Sequence, residues 1–239
     1  MLYYLSLLSN QFGPLNVFQY VTFRTVGAAI TSFLFCLWIG PHVIEALRRL
    51  KLGQPLRKKE EVHKLADLHE SKAGTPTMGG VLILFSLALA CVLWGKPTNP
   101  YLWIALGSTL ALGTLGFCDD YAKIRKKSSG GLSGWRKILV QAAVAAGVVG
   151  SLLLIPKARE AALTLQIPFV REDFFLLHLP IWGAVLLFVF IIVGSSNAVN
   201  LTDGLDGLAS GCLLTVTLVL GLFAYRSEEH TSELQSQFR

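Results

Sequence analysis

The stretch IWGAVLLFVFIIVG, residues 181–194, runs directly into SSNAVNLTDGLDGLASG, residues 195–211. The first part suits the hydrocarbon of a bilayer and the second does not. Asn197, Asn200, Asp203 and Asp206 recur there at a three-residue interval. On an α-helix each such step turns about 300°, so neighbours sit about 60° apart and Asn197 through Asp203 share roughly one 120° sector. A helix junction needs one capping Asn or Asp, with Gly204 and Gly207 to ease the turn. Four at regular spacing exceed that need. Asparagine amides donate and accept, and carboxylates accept, so the set suits a polar heterocycle or a sugar.

The chain has 239 residues, 53% of them hydrophobic and 15% charged, with mean hydropathy +0.55. Soluble domains carry about 25% charged residues, and the deficit here lies in long apolar runs. Spans are expected near 21–45, 77–95, 100–118, 137–156, 180–199 and 207–225. Each approaches the ~20 residues a helix needs to cross ~30 Å of hydrocarbon. They lack strand alternation, and in lipid a helix satisfies its own backbone groups. The fold expected is all-α and polytopic, one transmembrane domain over residues 1–225. The opening MLYYLSLLSNQFGPL is too short and polar for a further span and lacks the features of a secretory signal. A short interfacial helix is expected there.

Loop charge orients the spans. Residues 46–76 hold Arg48, Arg49, Lys51, Arg57, Lys58, Lys59, Lys64 and Lys72, and residues 119–137 hold Lys123, Arg125, Lys126, Lys127, Arg136 and Lys137. The opposite connections hold only Lys96, Lys157, Arg159 and Arg171. This asymmetry puts both basic loops in the cytoplasm and the N-terminus outside. It also puts the aspartates at 119–120 on the same face as the Asn/Asp series. The net charge of +6 belongs mostly to these loops, so it reads as topology and attraction to anionic lipid, with no nucleic acid as partner. Cys36, Cys91, Cys118 and Cys212 lie in or at the ends of apolar spans and match no metal spacing. His63 and His69, six apart in a basic loop, do not suit one metal, nor do the scattered His42, His178 and His230. In the outer loop 157–179, LTLQIPFV suits a short two-stranded excursion.

LGFCDDYAKIRKK, residues 115–127, sets two adjacent carboxylates where a span meets the cytoplasm. Membrane acids generally face partners or water. A divalent cation or nearby lysines would relieve the repulsion between Asp119 and Asp120, and Lys123 lies one helical turn beyond Asp120. The plainer reading is a membrane exit. SKAGTPTMGG, residues 71–80, bends the chain at Gly74, Pro76, Gly79 and Gly80, offers hydroxyls at Thr75 and Thr77, and places Lys72 beside them. A capped helix start explains it equally well, and the spacing is not that of a P-loop. Acids, lysines and a glycine-rich pocket on one membrane face suit phosphoryl transfer, which needs charge neutralisation and positioning.

The blocks KAGTPTMGG (72–80), GFCDDYAKI (116–124), GLSGWRK (131–137) and VGSSNAVNLTDGLDGLA (193–209) resemble the phospho-N-acetylmuramoyl-pentapeptide-transferase family. This is the translocase I branch of the polyprenyl-phosphate hexosamine-1-phosphate transferases. The likeness runs from about residue 20 to 224. It implies transfer of phospho-MurNAc-pentapeptide from UDP-MurNAc-pentapeptide to undecaprenyl phosphate, giving lipid I and UMP for peptidoglycan synthesis. It further implies Mg²⁺ as cofactor and a site on the cytoplasmic face of the bacterial inner membrane, with a homodimeric state left open. Asp119 and Asp120 match the family's aspartate pair, which activates the lipid phosphate or assists the metal, and Asp203 matches a further essential acid. The resemblance implies that Lys72, Thr77, Asn197, Asn200 and Asp206 would fall around the uridine or its ribose, and that Lys123 and Lys137 would meet phosphates.

Family members carry about ten spans, with a later Gly-Asp loop and a histidine-rich loop that do not occur here. The ending RSEEHTSELQSQFR, residues 226–239, differs in composition from everything before it and resembles a translated sequencing adapter. Residues 226–239 are therefore expected to be a non-native tail, and the chain an N-terminal fragment that is catalytically incomplete. The alternatives are a sister transferase using UDP-GlcNAc, a membrane transporter, and a structural membrane protein. Transporters place polar groups near the bilayer midplane, often in paired repeats, whereas here they cluster at one surface.

Overall fold

The computed structural model describes residues 1–49, 78–126, 131–166, 176–202 and 207–237. The helices are α1 (Val21–Arg49), α2 (Gly80–Trp94), α3 (Pro100–Lys126), α4 (Gly134–Leu153), α5 (Pro156–Leu163), α6 (Ile181–Thr202) and α7 (Leu208–Gln237). Two strands, β1 (Thr164–Gln166) and β2 (Leu176–His178), lie between α5 and α6. Among the described residues, five helices, α1, α3, α4, α6 and residues 208–226 of α7, are long and apolar enough to cross a membrane. The architecture is that of an all-α polytopic membrane protein.

Four features refine the sequence-based expectation. The span expected at 77–95 is a helix of 15 residues, about 22 Å long at 1.5 Å per residue. Its start is held back by Met78, which has φ 72° in the left-handed region, and it ends at Gly95 with extended ψ of 152°. The opening segment forms two 3-10 helices, Leu2–Leu8 and Gly13–Gln19. The two-stranded excursion is present: β1 and β2 pair antiparallel, with Thr164 opposite His178 and Gln166 opposite Leu176. Lastly, α7 continues as helix from the apolar run through residues 226–237.

The chain forms two units, residues 1–186 and 187–239, with the boundary inside α6. In the first unit, packing relies on small residues and hydroxyls, as it does where lipid removes the hydrophobic drive between helices. A Cβ on Gly27 of α1 would lie 2.5 Å from the Trp94 ring, so only glycine lets α2 approach there. Trp94 Nε1 donates to Thr31 Oγ1 at 2.9 Å. Ser86 of α2 meets Cys36 Sγ at 3.0 Å and Ser32 Oγ at 3.3 Å, while donating to its own Ile83 carbonyl at 2.9 Å. In the second unit, the apolar side chains of α7 such as Leu214, Leu218 and Leu222 are exposed, as a lipid-facing helix requires.

Candidate functional site

Asp119 is the twentieth residue of α3, about 29 Å along the helix from Pro100. It therefore sits where a helix crossing ~30 Å of hydrocarbon emerges. Its side chain is 8% exposed, and the described groups that bond to its carboxylate are all donors. Lys123 Nζ, one turn on, lies 2.8 Å from Asp119 Oδ2. Lys137 Nζ, in the first turn of α4, lies 2.9 Å from Asp119 Oδ1, and the Leu132 backbone N–H donates to the same oxygen at 2.8 Å. The carboxylate thus pairs with two ammonium groups and closes the turn that leads into α4. Backbone donors near a helix N-terminus favour such an anion.

The turn fits Asp119 tightly. A Cβ on Gly131 would stand 2.8 Å from Asp119 Cγ and 3.1 Å from its carbonyl oxygen. The Gly131 carbonyl in turn accepts from Lys126 Nζ at 3.3 Å. Asp120, the next residue, points differently because one residue turns the helix by about 100°. It is 42% exposed and meets Lys123 Nζ through Oδ1 at 3.0 Å. Lys123 therefore bridges both aspartates, whereas Lys137 serves Asp119.

This asymmetry bears on metal binding. Magnesium ions are held by one or two carboxylates together with waters and substrate phosphates. Both Asp119 oxygens already accept from cations or an N–H, while Asp120 has an oxygen outside its lysine contact. Asp120 fits such an ion in the present arrangement; Asp119 fits it only by releasing a lysine. Among the described residues, no three His, Cys, Asp or Glu side chains converge into a larger cage.

Two apolar grooves follow the seam between α3 and α4, with volumes of about 400 and 350 Å³ and Ala111 in common. The smaller reaches Leu132 and Arg136, beside the Asp119 turn.

In the second unit, Asn197 and Asn200 occupy the last two turns of α6. Asn197 is half-buried and its Nδ2 donates to the Val193 carbonyl at 2.8 Å, while Asn200 is exposed. The three-residue series is thus helical over its first two members. Lys72, Thr77, Asp203 and Asp206 lie outside the described residues. The first unit brings together Asp119, Asp120, Lys123 and Lys137.

Residues 102–236 match glycosyl transferase family 4. The chain belongs to that family. Residues 72–84 match phospho-N-acetylmuramoyl-pentapeptide-transferase signature 1. A phospho-N-acetylmuramoyl-pentapeptide-transferase of Methylacidiphilum infernorum (isolate V4) is 51% identical over 229 residues, covering 95% of this chain and 62% of the relative. Proteins of the same name from Desulfosudis oleivorans and Endomicrobium trichonymphae are each 45% identical, over 88% and 91% of this chain. The chain spans 55% and 58% of those two relatives' lengths. The family 4 match contains the whole Asp119–Lys137 centre, and the signature begins at Lys72, ahead of α2.

The reading of residue types missed two contributors to this centre. The Leu132 N–H is a backbone donor and has no residue type to announce it. Gly131 acts through close approach, and its only signal was membership of the GLSGWRK block.

Proposed function

We propose that the whole protein transfers phospho-MurNAc-pentapeptide from UDP-MurNAc-pentapeptide to undecaprenyl phosphate, at the cytoplasmic face of the bacterial inner membrane. The observation that carries this reading is the buried Asp119, held by Lys123 and Lys137 where a membrane-length helix ends. Family 4 membership, the signature over 72–84 and the names of the relatives supply the substrate class.

In the reaction, an oxygen of the lipid phosphate bonds to the phosphorus attached to the sugar. The bond from that phosphorus to the bridging oxygen breaks, and UMP leaves with the electron pair. A phosphate monoester has its second pKa near ~6, so the nucleophile is largely ionised at neutral pH. The barrier lies in bringing two anions together. Lys123 and Lys137 offset that charge, Asp119 positions both ammoniums, and Asp119 and Asp120 together balance the two lysines before substrate arrives. Arg125, Lys126 and Arg136 add positive charge around it, which raises the local concentration of anionic substrate. The groove ending at Arg136 suits the prenyl chain of the acceptor, with its phosphate toward Lys137. Lys72, Thr77, Asn197, Asn200 and Asp206 are assigned to the uridine and ribose, and Asp203 is assigned as a further essential acid near the nucleotide. Mg²⁺, held by Asp120 and the substrate phosphates, would supply further neutralisation of the pyrophosphate.

The test is release of UMP by the whole protein, wild type against Asp119→Asn and Lys137→Met. A loss of at least about 100-fold in each variant is expected, the scale of removing one preorganised charge-stabilising group. Unchanged release would refute the assigned centre. Preference for UDP-GlcNAc over UDP-MurNAc-pentapeptide would transfer the assignment to a sister transferase.

A further inference from the structure

At the opposite end of α3 from Asp119, two cations converge without an anion among the described residues. Arg24, in the first turn of α1, is 8% exposed. Its Nε and Nη1 are enclosed and have no hydrogen-bond partner among the described residues. Its guanidinium carbon lies 5.0 Å from the centroid of the Tyr3 ring, and Lys96 Nζ lies 5.4 Å from the same centroid. Among the described residues, neither cation pairs with a carboxylate. A ring face compensates a desolvated cation only in part. An enclosed guanidinium with unpaired N–H groups is costly unless an anion completes it.

The surroundings indicate which anion. Phe18 and Phe23 pack on Trp94, with ring centroids 5.9 and 5.8 Å away, and Tyr101 and Trp103 stand exposed at the start of α3. Aromatic belts of this kind mark the membrane–water interface, the depth at which phospholipid phosphates lie. A guanidinium matches phosphate oxygens through two parallel N–H bonds, and an ammonium adds a point charge.

We propose that Arg24 and Lys96 form a binding site for the phosphate group of a membrane phospholipid, near the end of α3 that begins at Pro100, about 29 Å of helix from Asp119. Tyr3 covers the guanidinium. The 3-10 helix that carries Tyr3, Leu2–Leu8, contains no buried residue, so moving it aside gives up little packing. The site is independent of the transfer reaction, because its residues are remote from both aspartates.

The experiment is to strip the full chain of lipid in detergent. It is then titrated with dihexanoyl phosphatidylglycerol and, separately, with inorganic phosphate, following ³¹P NMR. The wild type is expected to bind the lipid, with affinity falling at least tenfold in Lys96→Gln and further in Arg24→Gln. Arg24→Lys should fall between wild type and Arg24→Gln, since it keeps the charge and loses the fork. Lys96 is exposed in the loop before α3, so Lys96→Gln remains informative if Arg24→Gln does not fold. Equal affinity for inorganic phosphate would assign the site to a soluble anion and overturn the lipid assignment. Lipid binding absent in the wild type, or unchanged in Lys96→Gln, would overturn the site itself and leave a protein carboxylate as the partner of Arg24.

Discussion

Lys123 contacts both aspartates and Lys137 only one, and this makes a sharp prediction about energetic coupling. Consider double-mutant cycles built from Lys137→Met with Asp119→Asn and, separately, with Asp120→Asn. Lys137 Nζ meets Asp119 Oδ1 at 2.9 Å, with side chains 24% and 8% exposed. A hydrogen bond between charged groups contributes about 1.5–3 kcal/mol, and the partial exposure of the lysine reduces this toward the surface limit of ~1 kcal/mol. After Lys137→Met, Asp119 keeps Lys123 at 2.8 Å and the Leu132 N–H at 2.8 Å. The carboxylate is not orphaned, and the ~3–5 kcal/mol cost of an uncompensated buried charge does not apply. The expected coupling between Lys137 and Asp119 is therefore about 1–2 kcal/mol. That between Lys137 and Asp120, which share no direct contact and are linked only through Asp119 and Lys123, should be smaller, about 0.5 kcal/mol. Reversible unfolding of the detergent-solubilised chain in denaturant, followed by far-UV circular dichroism, reads both cycles. Equal coupling to the two aspartates would refute the asymmetry on which the proposed division of roles depends.

Gly131→Ala should destabilise the chain by about 1–3 kcal/mol, because the new Cβ would press on Asp119 at 2.8 Å from Cγ. Gly134→Ala, with nothing within 4 Å, should be neutral within about 0.5 kcal/mol or slightly stabilising; denaturant unfolding of the pair distinguishes close approach from a general glycine effect. Gly27→Ala should separate α1 from α2 by forcing the Trp94 ring aside, which breaks the Thr31 hydrogen bond and shows as a shift in tryptophan emission relative to Trp94→Phe. Ser86→Ala should cost about 1 kcal/mol, since Cys36 and Ser32 both lose their partner across the helix pair; an unaffected unfolding midpoint would contradict that role.

The spans were legible because a run of apolar residues near membrane length has few other uses, and the hairpin because LTLQIPFV alternates. The exact length of α2 was not, since its start depends on the backbone of Met78 at φ 72°, a conformation that methionine does not advertise. Lys123 could be placed beside the aspartates from spacing alone, because three and four residues along a helix return to one face. Lys137 could not. Its approach to Asp119 is set by how the 131–137 turn docks α4 on α3, and no periodicity links the two positions. Arg24 was passed over for a related reason. Counting charges in loops fixes topology, but an arginine inside an apolar run enters no loop and reveals its unpaired nitrogens only once Tyr3 is packed over it.

The aspartate pair shows why this distinction matters for function. In the sequence Asp119 and Asp120 are interchangeable, two acids at a membrane exit. The turn of about 100° between them places one against α4 and leaves the other half in solvent. Asp119 at 8% exposure is enclosed by lysines that neutralise it, and Asp120 at 42% keeps an oxygen available to an incoming ion. Under the proposed function, two equivalent exposed carboxylates would repel a pyrophosphate and a lipid phosphate together. One enclosed carboxylate that holds two ammoniums in place, next to one with an oxygen outside its lysine contact, would instead turn the same two residues into a surface where the two proposed anions can meet.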